Sequence, residues 1–421
     1  MTATVTRRRT CRLCDSAKVE RVVNLEPIPL SENYTSRRVD ALNAPRFPVD
    51  VYMCADCGHV QQLDVIDAKN LWASYTYYSG EAKGMPEHFQ QMARKFIEQA
   101  RPPLGSLVVD IGSNDGSLLL PFKAAGFRVL GIDPATSVAE RAIVAGIPTI
   151  ADLMSNDLAK TIRKEHGAAH VICAFNVFAH ADDLGDMVKS VRTMLAPEGL
   201  FFFEAQYLLD MIDGVLIATI FHEHMSHHSV APLVQFFDRH GLELIAAERA
   251  SIQHGSLIGA VQLKGASRKV ENSVYQLLAL EKDRRLSDLA TLRDFDVKVH
   301  RLRERTSALV AQWRRVGAKI AGFGAARSGP TLIAQLGLKD AIEYIVDDHP
   351  QKVGLYASGD GIPIVPVAEL LVRQPDYTVI LAWVHSRKII ETNQEYLRRG
   401  GHFVVLCPQT RVVGANGDIK I

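Results

Sequence analysis

Short apolar runs separated by segments of helical period dominate the middle of the chain. Strand-like runs lie at residues 107–109, 129–132, 171–174 and 200–203. Continuous apolar runs of this length are typical of strands buried on both faces, with helices covering the sheet above and below. The pattern therefore predicts an α/β fold with a doubly wound, Rossmann-like parallel sheet between about residues 106 and 264.

The pattern changes on either side of this sheet. Residues 268 to 316 are highly charged and carry leucines at helical spacing, which predicts a helical connector, either one helix or a hairpin. A second α/β pattern begins at residues 319–324 and ends at 402–406. We expect an N-terminal domain at 1–68, a central domain at 69–265, a connector at 266–316 and a C-terminal Rossmann-like domain at 317–421.

The amino-acid composition is that of an ordinary globular protein and does not by itself indicate a function. Of 421 residues, 47% are hydrophobic and 23% are charged, and the formal net charge is +1. This balance predicts a globular protein whose main partner is neither nucleic acid nor a membrane. We find no signal peptide and no run of roughly 18 apolar residues, so we expect a cytoplasmic protein. The sequence leaves the oligomeric state open, with a monomer among the options.

Two CxxC pairs stand near the N-terminus, Cys11 with Cys14 and Cys54 with Cys57, separated by 39 residues. Two such pairs can close a tetrahedral four-sulfur zinc site, which leaves no open coordination position. We therefore predict a structural zinc ion. Unrelated reduced cysteines and a redox dithiol are less favoured interpretations, and His59 is a less favoured alternative ligand.

A glycine loop follows the first strand of the central domain. It contains Asp110, Gly112, Asn114 and Gly116 in the pattern Asp-x-Gly-x-x-x-Gly. The glycines allow a sharp turn and close approach to a ligand, and the acid can hold the amino group of a methionine moiety. This arrangement is typical of S-adenosylmethionine (SAM) sites and differs from the dinucleotide fingerprint.

Three polar residues extend the predicted SAM site along the carboxyl edge of the sheet. Asp133 ends the next strand, 23 residues after Asp110, where an acid can accept both ribose hydroxyls. Asp152 follows the third strand candidate, where it can meet the adenine amino group or simply cap a helix. Asn176 follows the fourth strand. A doubly wound domain that binds NAD, or no ligand, is the alternative.

Four motifs together resemble one known family. They are the two CxxC pairs, the loop DIGSNDG at 110–116, the cluster FHEH at 221–224 and the segment GFGAARS at 322–328. In this order they resemble the three-domain sugar C-methyltransferases, which methylate nucleotide-linked 4-keto-deoxysugars. The resemblance covers nearly the whole chain. It implies a SAM-dependent C-methyltransferase with a zinc domain and a nucleotide-sugar substrate.

The resemblance also implies catalytic residues. A base removes the acidic proton next to the ketone, and the resulting enolate attacks the methyl group of SAM. In the family a Tyr-x-Glu-His stretch carries this chemistry. His224 matches the histidine and is the expected base, and Glu223 matches the carboxylate that orients the sugar or the base. Phe221 stands at the tyrosine position, so a hydroxyl that could bind the keto-sugar is absent.

Other side chains could replace that hydroxyl. His222 lies within the motif, and Tyr75, Tyr77 and Tyr78 lie in a segment that aligns with an active-site lid of the family. His180, at the end of the fourth strand, is a further candidate for sugar binding. Without the resemblance, the histidines near position 224 could instead bind a metal ion or belong to the core.

In the C-terminal domain, Arg327 lies in a glycine-containing loop between a strand and a helical run. Backbone amides of such a loop could hold a phosphate, and Arg327 could bind the substrate diphosphate. The alternative is a domain that only closes the cleft. For the whole protein, the alternatives are a SAM-dependent O- or N-methyltransferase on another small metabolite and a nucleotide-sugar binding protein without catalysis.

Overall fold

The computed structural model describes residues 4–67, 71, 77–82 and 84–419. Within these ranges, no helix has both the length and the apolar character needed to cross a lipid bilayer. The N-terminal elements are short: β1 (Val5–Arg7), β2 (Val19–Val23), β3 (Ile28–Pro29), β4 (Tyr34–Thr35), α1 (Arg38–Leu42), β5 (Arg46–Phe47), β6 (Val51–Cys54), β7 (Val60–Gln62) and β8 (Asp64–Ile66).

The central part contains the α/β elements predicted from the apolar runs. Its helices are α2 (Met85–Ala100), α3 (Leu119–Ala124), α4 (Thr136–Val144), α5 (Asn156–His166), α6 (Leu184–Met194), α7 (Leu208–Asp213) and α8 (Val230–Arg239). Its strands are β9 (Leu107–Ile111), β10 (Arg128–Ile132), β11 (Thr149–Ile150), β12 (Ala169–Phe175), β13 (Leu195–Gln206), β14 (Ser226–His227), β15 (Leu242–Ala250) and β16 (Ser256–Leu263).

Seven of these strands form one sheet in the order β11-β10-β9-β12-β13-β16-β15. The first five run parallel, as the sequence predicts. Beyond these strands, β16, which was not among the strand candidates, runs antiparallel to both β13 and β15. The reason is the short connection at residues 251–255, which permits a hairpin but not a parallel crossover.

Helices cover both faces of this sheet, and an apolar cluster lies under each. On one face, the Phe96 ring of α2 stacks on the Phe202 ring of β13 with centroids 3.8 Å apart. The parallel strands thus end at one edge, and the loops that follow them meet there.

The charged connector is a helical hairpin, α9 (Asn272–Asp283) and α10 (Leu289–Arg315). The buried face of α10 includes Leu292, Phe295 and Val299. On its exposed side, Arg293 forms an ion pair with Glu20 of β2 at 3.1 Å. The connector therefore packs against the N-terminal part of the chain.

The C-terminal part has a second sheet. Its elements are β17 (Ile320–Phe323), α11 (Gly329–Gln335), β18 (Ile345–Asp347), β19 (Tyr356–Ala357), β20 (Ile362–Pro366), α12 (Glu369–Arg373), β21 (Tyr377–Ile380), α13 (Ser386–Thr392), α14 (Gln394–Arg398), β22 (His402–Val405), β23 (Arg411–Gly414) and β24 (Gly417–Ile419). The strand order is β24-β23-β22-β21-β17-β18-β20-β19-β4.

Two strands cross between the parts of the chain. The N-terminal strand β4 extends the C-terminal sheet by pairing with β19. The central strand β14 extends the N-terminal sheet, whose order is β14-β7-β6-β2. These shared sheets bring the N-terminal part beside both α/β units, where a large cavity opens.

Candidate functional site

The four paired cysteines form one cluster, in which all four sulfur atoms lie within 4.8 Å of one another. The Sγ atoms of Cys11 and Cys57 are 3.6 Å apart, and those of Cys14 and Cys54 are 3.5 Å apart. A tetrahedral zinc ion with Zn–S distances of about 2.3 Å holds its sulfur ligands about 3.8 Å apart. The cluster therefore fits the predicted structural zinc ion.

The surroundings of Cys11 favour its thiolate form. The Cys57 thiol and backbone amides beside Cys11 lower the pKa of Cys11 to about 5, although burial acts in the opposite direction. His59 is not part of the cluster, since its Nε2 lies 3.2 Å from Ser226 Oγ. The donor set is thus the four sulfur atoms, which suit a closed zinc site.

A cavity of about 2160 Å³ lies at the carboxyl edge of the central sheet. Its wall includes Glu32 from the N-terminal part, Asp133 and His224 from the central part, and Arg327 and Trp383 from the C-terminal part. This volume exceeds that of common small-molecule pockets, which measure about 300 to 1,000 Å³. It can accommodate two ligands side by side.

The glycine loop forms part of the cavity floor. Gly112 has φ +70°, and an added Cβ would lie 2.2 Å from Val177 Cγ2. Gly116 has φ +79°, but an added Cβ there would meet Ile147 at 2.9 Å. Gly112 lines the cavity whereas Gly116 does not. The first glycine thus permits a cradle for a ligand, and the second permits close packing inside the domain.

Asp110, the acid near the end of β9, lies further from the cavity than its position in the glycine motif suggests. Asp110 is 2% exposed and does not line the cavity. Within the described part of the chain its Oδ1 has no hydrogen-bond partner. Burial, with the nearby charge of Asp133, raises its pKa well above the usual value. Asp110 therefore lies beneath the loop rather than among the side chains that face a ligand.

The remaining predicted cofactor residues all line the cavity: Asn114, Asp133, Asp152 and Asn176. The Asp133 carboxylate accepts hydrogen bonds from the backbone amides of Asn114 and Ala135, both at 2.9 Å. These bonds fix the carboxylate at the end of β10. Asp152 is exposed, and Asn176 has φ +55° directly after β12.

Asn114 makes a contact that the sequence did not predict. Its Oδ1 accepts a hydrogen bond from Ser79 N at 2.9 Å, and its Nδ2 donates to Tyr77 O at 3.1 Å. The side chain therefore fastens the segment at 77–79 to the glycine loop. Tyr77 and Tyr78 both line the cavity, whereas Tyr75 lies outside the described residues.

The two tyrosines face different neighbours. The Tyr77 ring lies 5.5 Å from the Arg327 guanidinium, on the C-terminal side. The Tyr78 ring lies 4.1 Å from the Arg141 guanidinium of α4, which belongs to the central domain. Only Tyr77 is therefore placed between the glycine loop and the C-terminal wall.

His224 and His180 meet inside the cavity, with ring centroids 5.1 Å apart. The Nδ1 atom of His224 lies 2.7 Å from the carbonyl oxygen of Thr219. Burial lowers the pKa of His224 to about 4 and lowers that of His180 well below its usual value. His224 is therefore neutral at physiological pH, donates through Nδ1 and keeps Nε2 as a proton acceptor.

Glu223 is buried next to His224 in the chain and forms an ion pair with Arg327, with an O–N distance of 2.5 Å. Burial raises the pKa of Glu223, and the charge of Arg327 opposes that shift. Two residues predicted from separate motifs, one catalytic and one diphosphate-binding, thus contact each other directly.

The structure does not bring His222 to the cavity. Its Nε2 lies 3.3 Å from the Phe47 carbonyl oxygen, and its ring meets the Phe47 ring edge to face. Adjacent side chains on a tight turn point in different directions, which separates His222 from His224. His222 therefore cannot replace the hydroxyl that is absent at Phe221.

The expected phosphate-binding amides of the C-terminal loop are already engaged. Ala325 N donates to Asp347 Oδ2 at 2.6 Å, and Gly329 N donates to Ala326 O at 2.9 Å. The carbonyl oxygen of Ala325 accepts from Tyr34 and Lys352. Side chains, rather than these two amides, are left to bind an anion on this wall.

Several residues around the site carried no sequence signal. Gln62, on β7, donates hydrogen bonds to the carbonyl oxygens of Phe221 and His224. Glu204 accepts a hydrogen bond from His88, which lines the cavity, at 2.6 Å. None of these residues belongs to a spaced motif, because each reaches its partner through the tertiary fold.

Comparisons with known proteins agree with this arrangement. A zinc binding domain model matches residues 11–72, a methyltransferase domain model matches residues 85–247, and a C-methyltransferase C-terminal domain model matches residues 251–408. The C-methyltransferase NovU of Streptomyces niveus is 32% identical over 410 residues, which covers 97% of this chain and 98% of the relative.

Solved structures of more distant proteins resemble part of the chain. Magnesium protoporphyrin IX methyltransferase from Synechocystis PCC 6803, with bound SAH, is 17% identical, covers 47% of this chain and 92% of that chain, and has a TM-score of 0.35. A SAM-dependent methyltransferase from Clostridium acetobutylicum is 10% identical, covers 42% of this chain and 92% of that chain, and has a TM-score of 0.35.

The residues present fit both groups that the matches to the domain models and to NovU imply. The sulfur cluster suits zinc, and the cradle at Gly112 beside the carboxylate of Asp133 suits SAM. The near-complete alignment with a C-methyltransferase of 32% identity extends across all three matched regions. The chain therefore belongs to the C-methyltransferase family and is a SAM-dependent enzyme with an N-terminal zinc site.

Proposed function

We propose that this enzyme transfers the methyl group of SAM to the carbon next to the ketone of a nucleotide-linked 4-keto-deoxysugar. The observation that carries the proposal is His224, a buried neutral imidazole whose Nδ1 faces the Thr219 carbonyl oxygen at 2.7 Å. A carbon acid needs a base, whereas an uncharged amine already carries a nucleophilic lone pair. His224 lines the same cavity as the glycine loop and Arg327.

SAM, when bound, would supply an electrophilic methyl group and would leave as S-adenosylhomocysteine. His224 takes the proton from the sugar carbon through Nε2, and the electrons of the broken C–H bond form the enolate. The positive charge that results on the imidazole is balanced by the negative charge on the enolate. Glu223, held by Arg327, keeps the turn that carries His224 in place.

Tyr77 is our candidate for binding the keto oxygen in place of the absent hydroxyl at Phe221. Burial raises the pKa of Tyr77, so its hydroxyl remains protonated and able to donate a hydrogen bond. A donor aimed at a developing oxyanion stabilises the enolate more than the ketone. His180 lies against His224 and can bind the sugar from the other side.

The C-terminal wall offers positive charge for the diphosphate. Arg327 and Lys352 both line the cavity, and Lys352 Nζ also contacts Glu32 at 3.0 Å. A guanidinium binds phosphate oxygens through two parallel N–H donors, which suits a diphosphate bridge. The nucleotide would then lie on the C-terminal side, with the sugar directed toward His224.

The test is incubation with labelled SAM and a panel of dTDP-, GDP- and CDP-4-keto-6-deoxysugars. We expect a product with a new carbon–methyl bond, and we expect His224→Ala to reduce its formation by about 100-fold or more. His240→Ala, a histidine outside the cavity, is the matched control. Substrate incubated in D2O with S-adenosylhomocysteine should exchange its acidic proton with the wild type but not with His224→Ala.

One observation favours a second candidate, an O- or N-methyltransferase acting on another small metabolite. The Phe221 ring lies 4.1 Å from His224 and makes that side of the base apolar. If SAM binds but no keto-sugar accepts a methyl group or exchanges its proton, this candidate replaces the first.

A further inference from the structure

A pair of buried polar side chains joins the zinc site to the turn that carries His224. The two residues are Arg12 and Gln62. Gln62 is 1% exposed and uses Nε2 to donate to the carbonyl oxygens of Phe221 and His224, both at 2.9 Å. These carbonyls lie at the two ends of one turn, which is closed by His224 N donating to Phe221 O at 3.0 Å.

Arg12 lies between the first two zinc ligands, and its side chain is fully buried. Its Nη1 donates to the carbonyl oxygens of Gln62 and of Met225, the latter at 3.4 Å. Its Nη2 forms an ion pair with Asp182 at 3.1 Å. Met225 follows His224 directly, and Asp182 lies two residues after His180. Arg12 therefore contacts both segments that carry a cavity histidine.

Backbone hydrogen bonds also join the N-terminal part to the residues that follow His224. Gln62 N donates to Met225 O at 2.9 Å, and the next residues form β14, which pairs with β7. Ser226 N donates to Ala179 O at 3.1 Å, which links the His180 segment to the same strand. The chain that follows the catalytic turn is thus a strand of the zinc-domain sheet.

We propose that Arg12 and Gln62 are positioning residues that set the placement of His224 against His180. The inference rests on the proposed role of His224 as the base. Both donors of the Gln62 amide end on the turn that holds this residue, and Arg12 spans the two segments whose rings stack 5.1 Å apart. The zinc domain, in this account, serves catalysis by holding the base.

The expected effect is on the chemical step. Misplacing a reacting group by about 1 Å can cost about 100-fold in rate. Without the Gln62 donors the turn keeps the ion pair of Glu223 with Arg327 but loses both hydrogen bonds to its own carbonyl oxygens, whereas the glycine loop loses no contact. We expect kcat to fall by about 10- to 100-fold, while KM for the sugar and the affinity for SAM change by less than about 3-fold.

The experiment compares Gln62→Met with Gln262→Met. Gln262 is also fully buried and donates through Nε2 to Glu243 and to the carbonyl oxygen of Arg268, both at 2.8 Å, but these partners lie outside the turn that carries His224. The readouts are kcat, KM, SAM affinity, zinc content and the tautomer of His224 from ¹⁵N NMR. A loss of folding stability alone would appear in both variants. A lower kcat and loss of the Nδ1–H tautomer of His224 are expected only in Gln62→Met.

Equal kcat and an unchanged His224 tautomer in Gln62→Met would overturn the inference. If that variant does not fold, Arg12→Lys, which keeps a positive charge near Asp182 but loses the guanidinium fork, replaces it with the same expectations. His224→Ala separates the two proposals. Activity retained in His224→Ala overturns the proposed base and this inference together, whereas activity lost there but kept in Gln62→Met overturns the inference alone.

Discussion

At the residue scale, burial gives His224 the properties of a neutral base. Desolvation disfavours the imidazolium, and the guanidinium of Arg327 adds to that effect, while the Thr219 carbonyl opposes it. The same carbonyl selects the tautomer that leaves Nε2 unprotonated. A histidine on the surface would be partly protonated below pH 7, and this one is not.

The pH dependence of the reaction follows from that shift. The pKa of His224 is lowered from 6.5 to about 4, so the proposed base would lose its function only as the pH falls through about 4. We expect the acid limb of kcat/KM to have its midpoint well below 6 and the rate to be level between pH 6 and 7. The measurement is a pH–rate profile with circular dichroism at each pH to confirm folding. A midpoint near 6.5 would contradict the buried state of His224.

At the scale of a single element, the N-terminus of α8 is capped by a side chain from another helix, α9. The N-cap residue of α8, Ser229, makes no side-chain hydrogen bond to the helix. Glu281 of α9 caps the helix instead, because its carboxylate accepts hydrogen bonds from Val230 N at 2.6 Å and Ala231 N at 2.9 Å. The same carboxylate accepts a hydrogen bond from Tyr207 Oη at 2.8 Å. A carboxylate at a helix N-terminus also interacts favourably with the helix dipole.

Replacing this cap should loosen α8. In Glu281→Gln one carboxylate oxygen becomes an amide group, which cannot accept a hydrogen bond from a backbone N–H. We expect a cost of about 1–3 kcal/mol, seen as a lower melting temperature and faster hydrogen exchange of the α8 amides. Glu304→Gln, at an exposed position of α10, is the control and should change neither. Unaltered exchange in α8 would show that Glu281 does not cap the helix.

At the scale of the whole molecule, the N-terminal part joins the two α/β units. It accepts β14 from the central part into its own sheet and adds β4 to the C-terminal sheet. The four zinc ligands hold the two ends of this part together. Loss of zinc should therefore affect the entire cavity and not only the N-terminus, because a metal that binds only the folded state adds its binding energy to folding.

Cys54→Ser tests that expectation. We expect the variant to lose its zinc ion and to lower the melting temperature by about 5 °C or more, because a structural zinc site contributes several kcal/mol. Cys173→Ala, a buried cysteine outside the cluster, is the control and should keep one zinc ion per chain. A Cys54→Ser protein with full zinc content and unchanged melting would show that the cluster is not the zinc site.

Sequence alone determined the features that depend on local spacing. The CxxC pairs place thiolates within reach of one ion, Gly112 allows a backbone conformation with positive φ, and Asp133 follows a strand whose end is set by its apolar run. These features need only neighbours along the chain, so the cysteine cluster, the glycine loop and the α/β class could be predicted.

Only the tertiary structure decided which of the candidate side chains meet. It separated His222 from His224, paired Glu223 with Arg327 and engaged the amides at Ala325. It also made β16 antiparallel and brought Gln62 to the turn that carries His224, 162 residues away along the chain. The physical reason is that burial, side-chain direction and long-range hydrogen bonds depend on how the elements pack, which no local pattern encodes.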